Sequence, residues 1–215
     1  MKLGILFDLD GTLLETLEDL AAAVNYALRQ YGCPERTVEQ VRLSIGTGTK
    51  NLIRLSLPGN PEDPPMEQVH DTFLRYYAAH SQDKTCPYPG IMEALEQLKS
   101  RFPIAIVSNK RDVAVKALCN DYFPGVYALG ERDGFPRKPA PDMLQLAMKE
   151  IGVDTCIYVG DSDVDVLTAR NAGVPCLSVL WGFRDKACIT AAGGTHFCET
   201  PTQLVSALTE MAANI

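Results

Sequence analysis

A chain of 215 residues is long enough for one sizeable domain, alone or carrying a smaller insertion. Its net charge of −7 at pH 7 opposes a nucleic-acid backbone or an anionic membrane surface as partner, so an anionic small substrate would need a local cation or a metal. The seven cysteines are odd in number, scattered and without CxxC spacing, which suggests neither a disulfide framework nor a zinc site. Asp8 breaks the N-terminal apolar run too early for a signal peptide, and no run is long enough to cross a bilayer, so the expectation is a cytoplasmic protein.

Residues 3–9 predict a first strand. Leu13, Leu17, Leu20, Ala21, Val24 and Leu28 then recur at three- and four-residue steps, Thr16 and Asp19 have capping-box spacing, and Gly32 can end the segment, so a helix is expected over 17–31. Further helices are expected over 37–44, 47–57 and 65–81, with LPGNPEDPP as the breaker before the last. Beyond IAIVSN at 104–109 the pattern alternates: helix 111–121, strand 126–129, helix 141–151, strand 156–160, helix 164–172, strand 175–180, a short strand near 196 and a helix over 202–213. Short all-apolar strands alternating with helices predict an α/β fold, a doubly wound parallel sheet covered on both faces. The helical stretch reads as an inserted cap over 15–82, leaving 1–14 and 83–215 as the core.

Ligands of open parallel sheets bind at the carboxyl ends of the strands. Asp8 and Asp10 follow the first strand, Ser108 and Asn109 follow IAIV, Asp161 and Asp165 follow CIYVG, and Lys138 precedes a helix opened by Pro141 and Asp142. Two carboxylates about 4 Å apart repel by roughly 4 kcal/mol at an effective dielectric near 20. A hard divalent cation resolves this, and Mg²⁺ takes one or two carboxylates together with water and phosphate oxygens. Asp8 would then ligate Mg²⁺ and attack phosphorus, while Asp10 handles protons and offers the metal its backbone carbonyl. Gly11 permits the tight turn that aims both inward.

DLDGT (8–12), SNK (108–110), KPAP (138–141) and GDSDVD (160–165), in this order and after these strands, resemble the four signature motifs of the haloacid dehalogenase superfamily. A helical insertion after the first motif resembles the smaller cap type of that superfamily, as in phosphoglycolate phosphatases and β-phosphoglucomutases. The resemblance implies Asp8 as nucleophile, Asp10 as general acid and base, Ser108 and Asn109 as phosphate contacts, Lys138 as charge stabiliser and Asp161 as metal ligand. It makes Asp165 the last acid of its motif, usually acting on the metal through water or another residue.

Other readings of these residues are weaker. Calcium-loop spacing fails, because the loop glycine would fall at Leu13 or Val166. GTGTK (46–50) lacks the P-loop pattern and reads as a turn of the cap. His70, His80 and His196 share no triad or metal spacing, and Trp181 reads as packing, with Arg184 open between packing and contact. The expected activity is a Mg²⁺-dependent phosphatase acting on a small-metabolite phosphate monoester, phosphoglycolate first, through an aspartyl phosphate. A phosphomutase shares every core residue, and a non-enzymatic phospho-acceptor has little use for a cap or for Asp10. A metal-free dehalogenase has no need of Asp10. Lys50 and Arg54, four apart on a predicted helix, are candidates for a carboxylate on the substrate. The expected partner is the small phosphate ester alone, with the protein a monomer or homodimer.

Overall fold

The computed structural model describes residues 1–60 and 63–215; Pro61 and Glu62, inside the predicted breaker, lie outside the described residues. In chain order the strands are β1 (Leu3–Phe7), β2 (Leu14–Glu15), β3 (Cys86–Pro87), β4 (Ile104–Arg111), β5 (Tyr127–Glu131), β6 (Thr155–Gly160), β7 (Cys176–Val179) and β8 (His196–Cys198). The chain divides into two compact units, Met1–Leu14 with Pro87–Ile215, and Glu15–Cys86. β2 and β3 pair as a two-stranded ribbon where the chain passes between them.

In the first unit the remaining strands form a parallel sheet in the order β5-β4-β1-β6-β7-β8. Strand order therefore reverses between β1 and β6, the position where a crevice opens at the carboxyl ends. β1 is apolar throughout because both of its faces are covered. Ile5 and Phe7 join the layer of α5 (Ile91–Lys99), α6 (Asp112–Tyr122) and α10 (Leu204–Ala212), whereas Leu6 joins that of α7 (Asp142–Glu150) and α8 (Asp163–Ala172). Phe7 is in register with Ile106 of β4 and Val159 of β6, so β1 and β6 end within a residue of each other beside β4, which runs on to Arg111, and the residues just beyond Phe7 and Gly160 become neighbours. β1 closes at Phe7, two residues earlier than expected, because the backbone turns at Asp8. Neither α5 nor the short α9 (Lys186–Ala191) was expected from the sequence.

The second unit holds α1 (Leu17–Gln30), α2 (Val38–Ser44), α3 (Thr49–Ser56) and α4 (Met66–His80) around a core of Leu20, Val24, Leu28, Val41, Ile53, Val69 and Phe73. The predicted Thr16–Asp19 capping box does not form: Thr16 makes no side-chain capping bond. The buried Asp19 carboxylate instead accepts from the Lys84 and Thr85 backbone N–H groups, at 3.0 Å and 2.8 Å to Oδ2, and from the Thr85 hydroxyl at 2.8 Å. Three donors fixed by the returning chain outcompete one cap position. No described helix is long and apolar enough to cross a membrane.

Candidate active site

Asp8 begins where β1 stops, its N–H donating to the Val159 carbonyl of β6 at 2.8 Å. Gly11, at φ +82°, lets the chain turn back; a side chain there would collide with the Asp161 carboxylate. Gly182 approaches Asp161 from the other side and is equally intolerant of a Cβ. Between the two glycines Asp161 accepts from the Phe183 N–H at 2.6 Å, and Thr12 Oγ1 lies 3.4 Å from its other oxygen. The Trp181 indole N–H donates to the Thr12 carbonyl at 3.0 Å, so Trp181 packs, as expected, and ties this loop to the turn after β1.

Lys138 reaches the same place from the loop before α7. Its ammonium lies 2.9 Å from Asp8 Oδ1, an ion pair out of line for a hydrogen bond, and donates to Asp165 Oδ1 at 2.8 Å and the Tyr158 hydroxyl at 2.9 Å. The Asn109 amide clamps the Lys138 backbone at both ends, accepting from its N–H at 2.8 Å and donating to its carbonyl at 2.9 Å. The Lys138–Pro139 peptide is cis. Asp165, wholly buried, accepts from four groups: Lys138 and Tyr158 on Oδ1, and the Ser162 N–H and hydroxyl, at 3.1 Å and 2.6 Å, on Oδ2.

Carboxylate oxygens of Asp8, Asp161 and Asp165 lie within 4.8 Å of one another. Burial pushes Asp8 up to about 7, against the pull of Lys138 and with the charge of Asp165 adding to the rise. Burial first, then Asp165 and Asp8, raise Asp161 well above the carboxylate range. Burial would lower the Lys138 ammonium, but Asp165 and Asp8 outweigh it and hold it above the usual lysine value. Three buried carboxylates around one ammonium leave an excess of negative charge that a dication offsets. The donors are all hard oxygens, which suits Mg²⁺ rather than a thiophilic metal. With Asp165 engaged by four donors, Asp8 and Asp161 are the carboxylates best placed to hold an ion.

The structure thus brings together Asp8, Asp161, Asp165 and Lys138 at the strand-order reversal. Asp10 lies at the rim of the group, its Oδ1 accepting from Lys110 Nζ at 2.8 Å. Ser108 and Asn109 fall within β4 rather than after it; the Ser108 hydroxyl accepts from the Lys110 N–H at 3.2 Å. Lys50 and Arg54 lie on α3 of the helical unit, both exposed, with Arg54 donating to Asn51 Oδ1 at 2.7 Å. His70 is buried against Thr49, and Arg184 sits 3.7 Å from Asp163. Sequence reasoning missed Tyr158, Ser162 and Lys110. For Ser162 the signal was present, since Ser162 and Asp165 have the same capping spacing that Thr16 and Asp19 show. Tyr158 was hidden in a strand that reads as apolar.

A strand order of this kind, with a buried carboxylate and lysine cluster at its reversal, defines an α/β enzyme whose site is built for an anionic group and a hard cation. The family model described as haloacid dehalogenase-like hydrolase matches residues 5–179, and the chain belongs to that family. It is 32% identical to a phosphoglycolate phosphatase of Pseudomonas fluorescens over 222 residues, covering 98% of this chain and 81% of that protein. Phosphoglycolate phosphatase 1 of Pseudomonas aeruginosa is 35% identical over 190 residues, 83% of this chain and 70% of that one. Among solved structures, that of a candidate phosphoglycolate phosphatase from Lactobacillus delbrueckii subsp. bulgaricus matches with a TM-score of 0.87 and 36% identity, covering 95% of this chain and 97% of the other.

Proposed function

We propose that the chain is a Mg²⁺-dependent phosphatase, a phosphoric monoester hydrolase whose first candidate substrate is phosphoglycolate. The observation that carries this reading is the buried group of Asp8 and Asp161, just beyond the adjacent strands β1 and β6, with Lys138 reaching them from the loop before α7. Similarity to proteins named phosphoglycolate phosphatase supports the substrate. Seven free thiols support a cytoplasmic setting.

Asp8 attacks phosphorus in line; the bond from phosphorus to the ester oxygen breaks as an Asp8–phosphate bond forms. Asp10 gives its proton to the departing alkoxide, then takes one from the water that attacks the same phosphorus, and Asp8 leaves as carboxylate with release of orthophosphate. Lys138 offsets charge on the transferring oxygens, held there by Asp165, Tyr158 and Asn109. Ser108 and Asn109 are the candidate phosphate contacts, and the Asn109 amide also fixes the Lys138 backbone. Asp8, Asp161 and the Asp10 carbonyl would hold Mg²⁺, with Asp165 acting on that group through Lys138 and Ser162. When bound, Mg²⁺ supplies Lewis-acid polarisation of the phosphoryl oxygens.

A screen of metabolite phosphate esters for orthophosphate release tests the reading. Release from none of them with Mg²⁺ present would overturn it, and an isomeric phosphate as product would identify a mutase.

Chelation is expected to abolish turnover and Mg²⁺ to restore it. A readout independent of activity follows from Asp8. Because its folded-state value lies near 7, above the unfolded 3.8, the proton competes with the metal up to about neutral pH. Mg²⁺ at a hundredfold excess over Kd stabilises a fold by about 2.7 kcal/mol. That gain, measured as a rise in Tm, should be nearly complete at pH 8 and mostly lost at pH 5. A rise independent of pH would place the ion elsewhere.

The helical unit, residues 15–82 on this reading, is assigned the choice of leaving group, with Lys50 and Arg54 taking the carboxylate of phosphoglycolate. Charge-assisted hydrogen bonds contribute about 1.5 to 3 kcal/mol. Lys50→Ala and Arg54→Ala should therefore each lower kcat/KM on phosphoglycolate by roughly tenfold or more while sparing an uncharged aryl phosphate. Equal effects on both esters would remove the assignment.

A further inference from the structure

The SNK stretch organises two lysines rather than one. Asn109 fixes the backbone of Lys138, whose ammonium serves Asp8. Ser108 fixes the backbone N–H of the adjacent Lys110, whose ammonium crosses from β4 to Asp10. The first aspartate of DLDGT and the third residue of that motif, the second aspartate, each have their own cation. Lys110 has a side chain only 4% exposed, against 12% for Asp10, so the pair sits where solvent screening is weak. Burial, with Asp10 next, pushes the nearby Cys119 thiol up to about 12, so that neighbour is neutral at physiological pH. Lysine rarely gives up hydration to this degree without a paired anion.

We propose that Lys110 is a positioning residue for Asp10, holding its carboxylate on the side of β4 where it can exchange a proton with the leaving oxygen. This rests on the reading of Asp10 as the acid and base. Asp10 sits in a turn whose main chain is fixed by the Gly11 N–H bond to the Leu14 carbonyl, while the direction of its carboxylate depends on rotation about its side-chain torsions. A 2.8 Å contact from a buried ammonium restricts that rotation. In this role Lys110 acts on the substrate only through Asp10, so its contribution is confined to steps in which Asp10 moves a proton.

The full-length protein with Mg²⁺ is assayed on two esters, an alkyl phosphate whose alkoxide needs a proton to leave and a dinitrophenyl phosphate whose phenolate does not. Asp10→Asn is expected to lose about 10² to 10⁴ in kcat on the alkyl ester and far less on the aryl one. Lys110→Met, which keeps chain length and apolar volume, should follow the same leaving-group pattern at smaller amplitude, about 10- to 100-fold on the alkyl ester, with the loss in kcat rather than KM. Lys110→Arg should recover part of it, and Lys110→Met placed in the Asp10→Asn background should cost little more on the alkyl ester. A merely structural lysine would lower both esters alike and add its loss to that of Asp10→Asn. Equal losses on the two esters, or additive ones, overturn the proposal while leaving Asp10 its role. Should Asp10→Asn itself show no leaving-group dependence, the assignment of Asp10 fails and this inference falls with it. Lys110→Met protein that does not fold is replaced by Lys110→Gln, judged by the same two criteria.

Discussion

Asp8→Asn is expected to remove turnover and the covalent phosphoenzyme together, and in metal-free protein at pH 8 to raise Tm. The two effects have one origin. An amide has no anionic oxygen to attack phosphorus, so no bond from residue 8 to phosphate can form. The same substitution deletes a charge that the fold resists. Asp8 is buried beside Asp161 and Asp165, and burial pushes its folded-state value to about 7 from 3.8. An acid whose folded value is raised binds its proton more tightly in the native state, so stability declines as pH rises between the two values and the penalty is fully developed above about 7. Asn escapes that penalty, and Lys138 keeps a partner in Asp165. Mg²⁺ should stabilise the variant less than the wild type, because one of its carboxylates has gone. Rapid-quench labelling with a phosphorylated ester and thermal denaturation in chelator provide the two readouts. Wild-type labelling in Asp8→Asn would locate the nucleophile elsewhere, and a lowered Tm at pH 8 would show that Lys138 depends on Asp8 more than burial opposes it.

Much of this site was legible because it depends on local rules. Apolar runs of four to seven residues mark strands covered on both faces, and acids placed where such runs end come together when the strands are parallel and in register. Asp8 and Asp161 were found this way. What escaped notice depends on partners distant in sequence. Thr16 with Asp19, and Ser162 with Asp165, present the same spacing, yet Asp19 is captured by Lys84 and Thr85, 65 and 66 residues away, whereas Ser162 and Asp165 do bond to each other. No local signal separates the two cases. The bond of the Asn109 amide to a backbone 29 residues on has no local signal either. Lys110 was passed over because a lysine near a strand end usually reaches solvent, and only the fold shows it turned inward. The α5 helix is a different kind of miss, since Ile91, Ala94, Leu95 and Leu98 carry a helical stripe that was present in the sequence.

Lys138→Met should give the largest loss of stability of any single change in the site, about 3 to 5 kcal/mol in metal-free protein, because it strands Asp8 and Asp165 without their shared cation. For a chain of this size that corresponds to a fall in Tm of roughly 10 °C. The ammonium is held above its ordinary value by these carboxylates, so its stabilising contribution is fully present below the unfolded lysine value and does not change between pH 5 and 8. What changes is the cost of the orphaned acids. With Lys138 gone the force that lowers Asp8 is gone too, its folded-state value climbs further, and the ionisation penalty grows as pH rises from about 4. The gap between wild type and variant should therefore be wider at pH 8 than at pH 5. Removing one acid in addition, as Lys138→Met with Asp165→Asn, should restore part of the lost stability, because the charge left unpaired is then halved. Activity is expected to fall by 10² to 10³ at least, about the effect of deleting one stabilising group from a charged transition state. The double variant should recover no activity despite its recovered fold, since charge on the transferring oxygens still meets no ammonium. Urea denaturation of the three proteins at both pH values, in chelator, measures the stability arm. A gap that is small, or equal at pH 5 and 8, would mean that Asp8 and Asp165 do not depend on Lys138 for their burial.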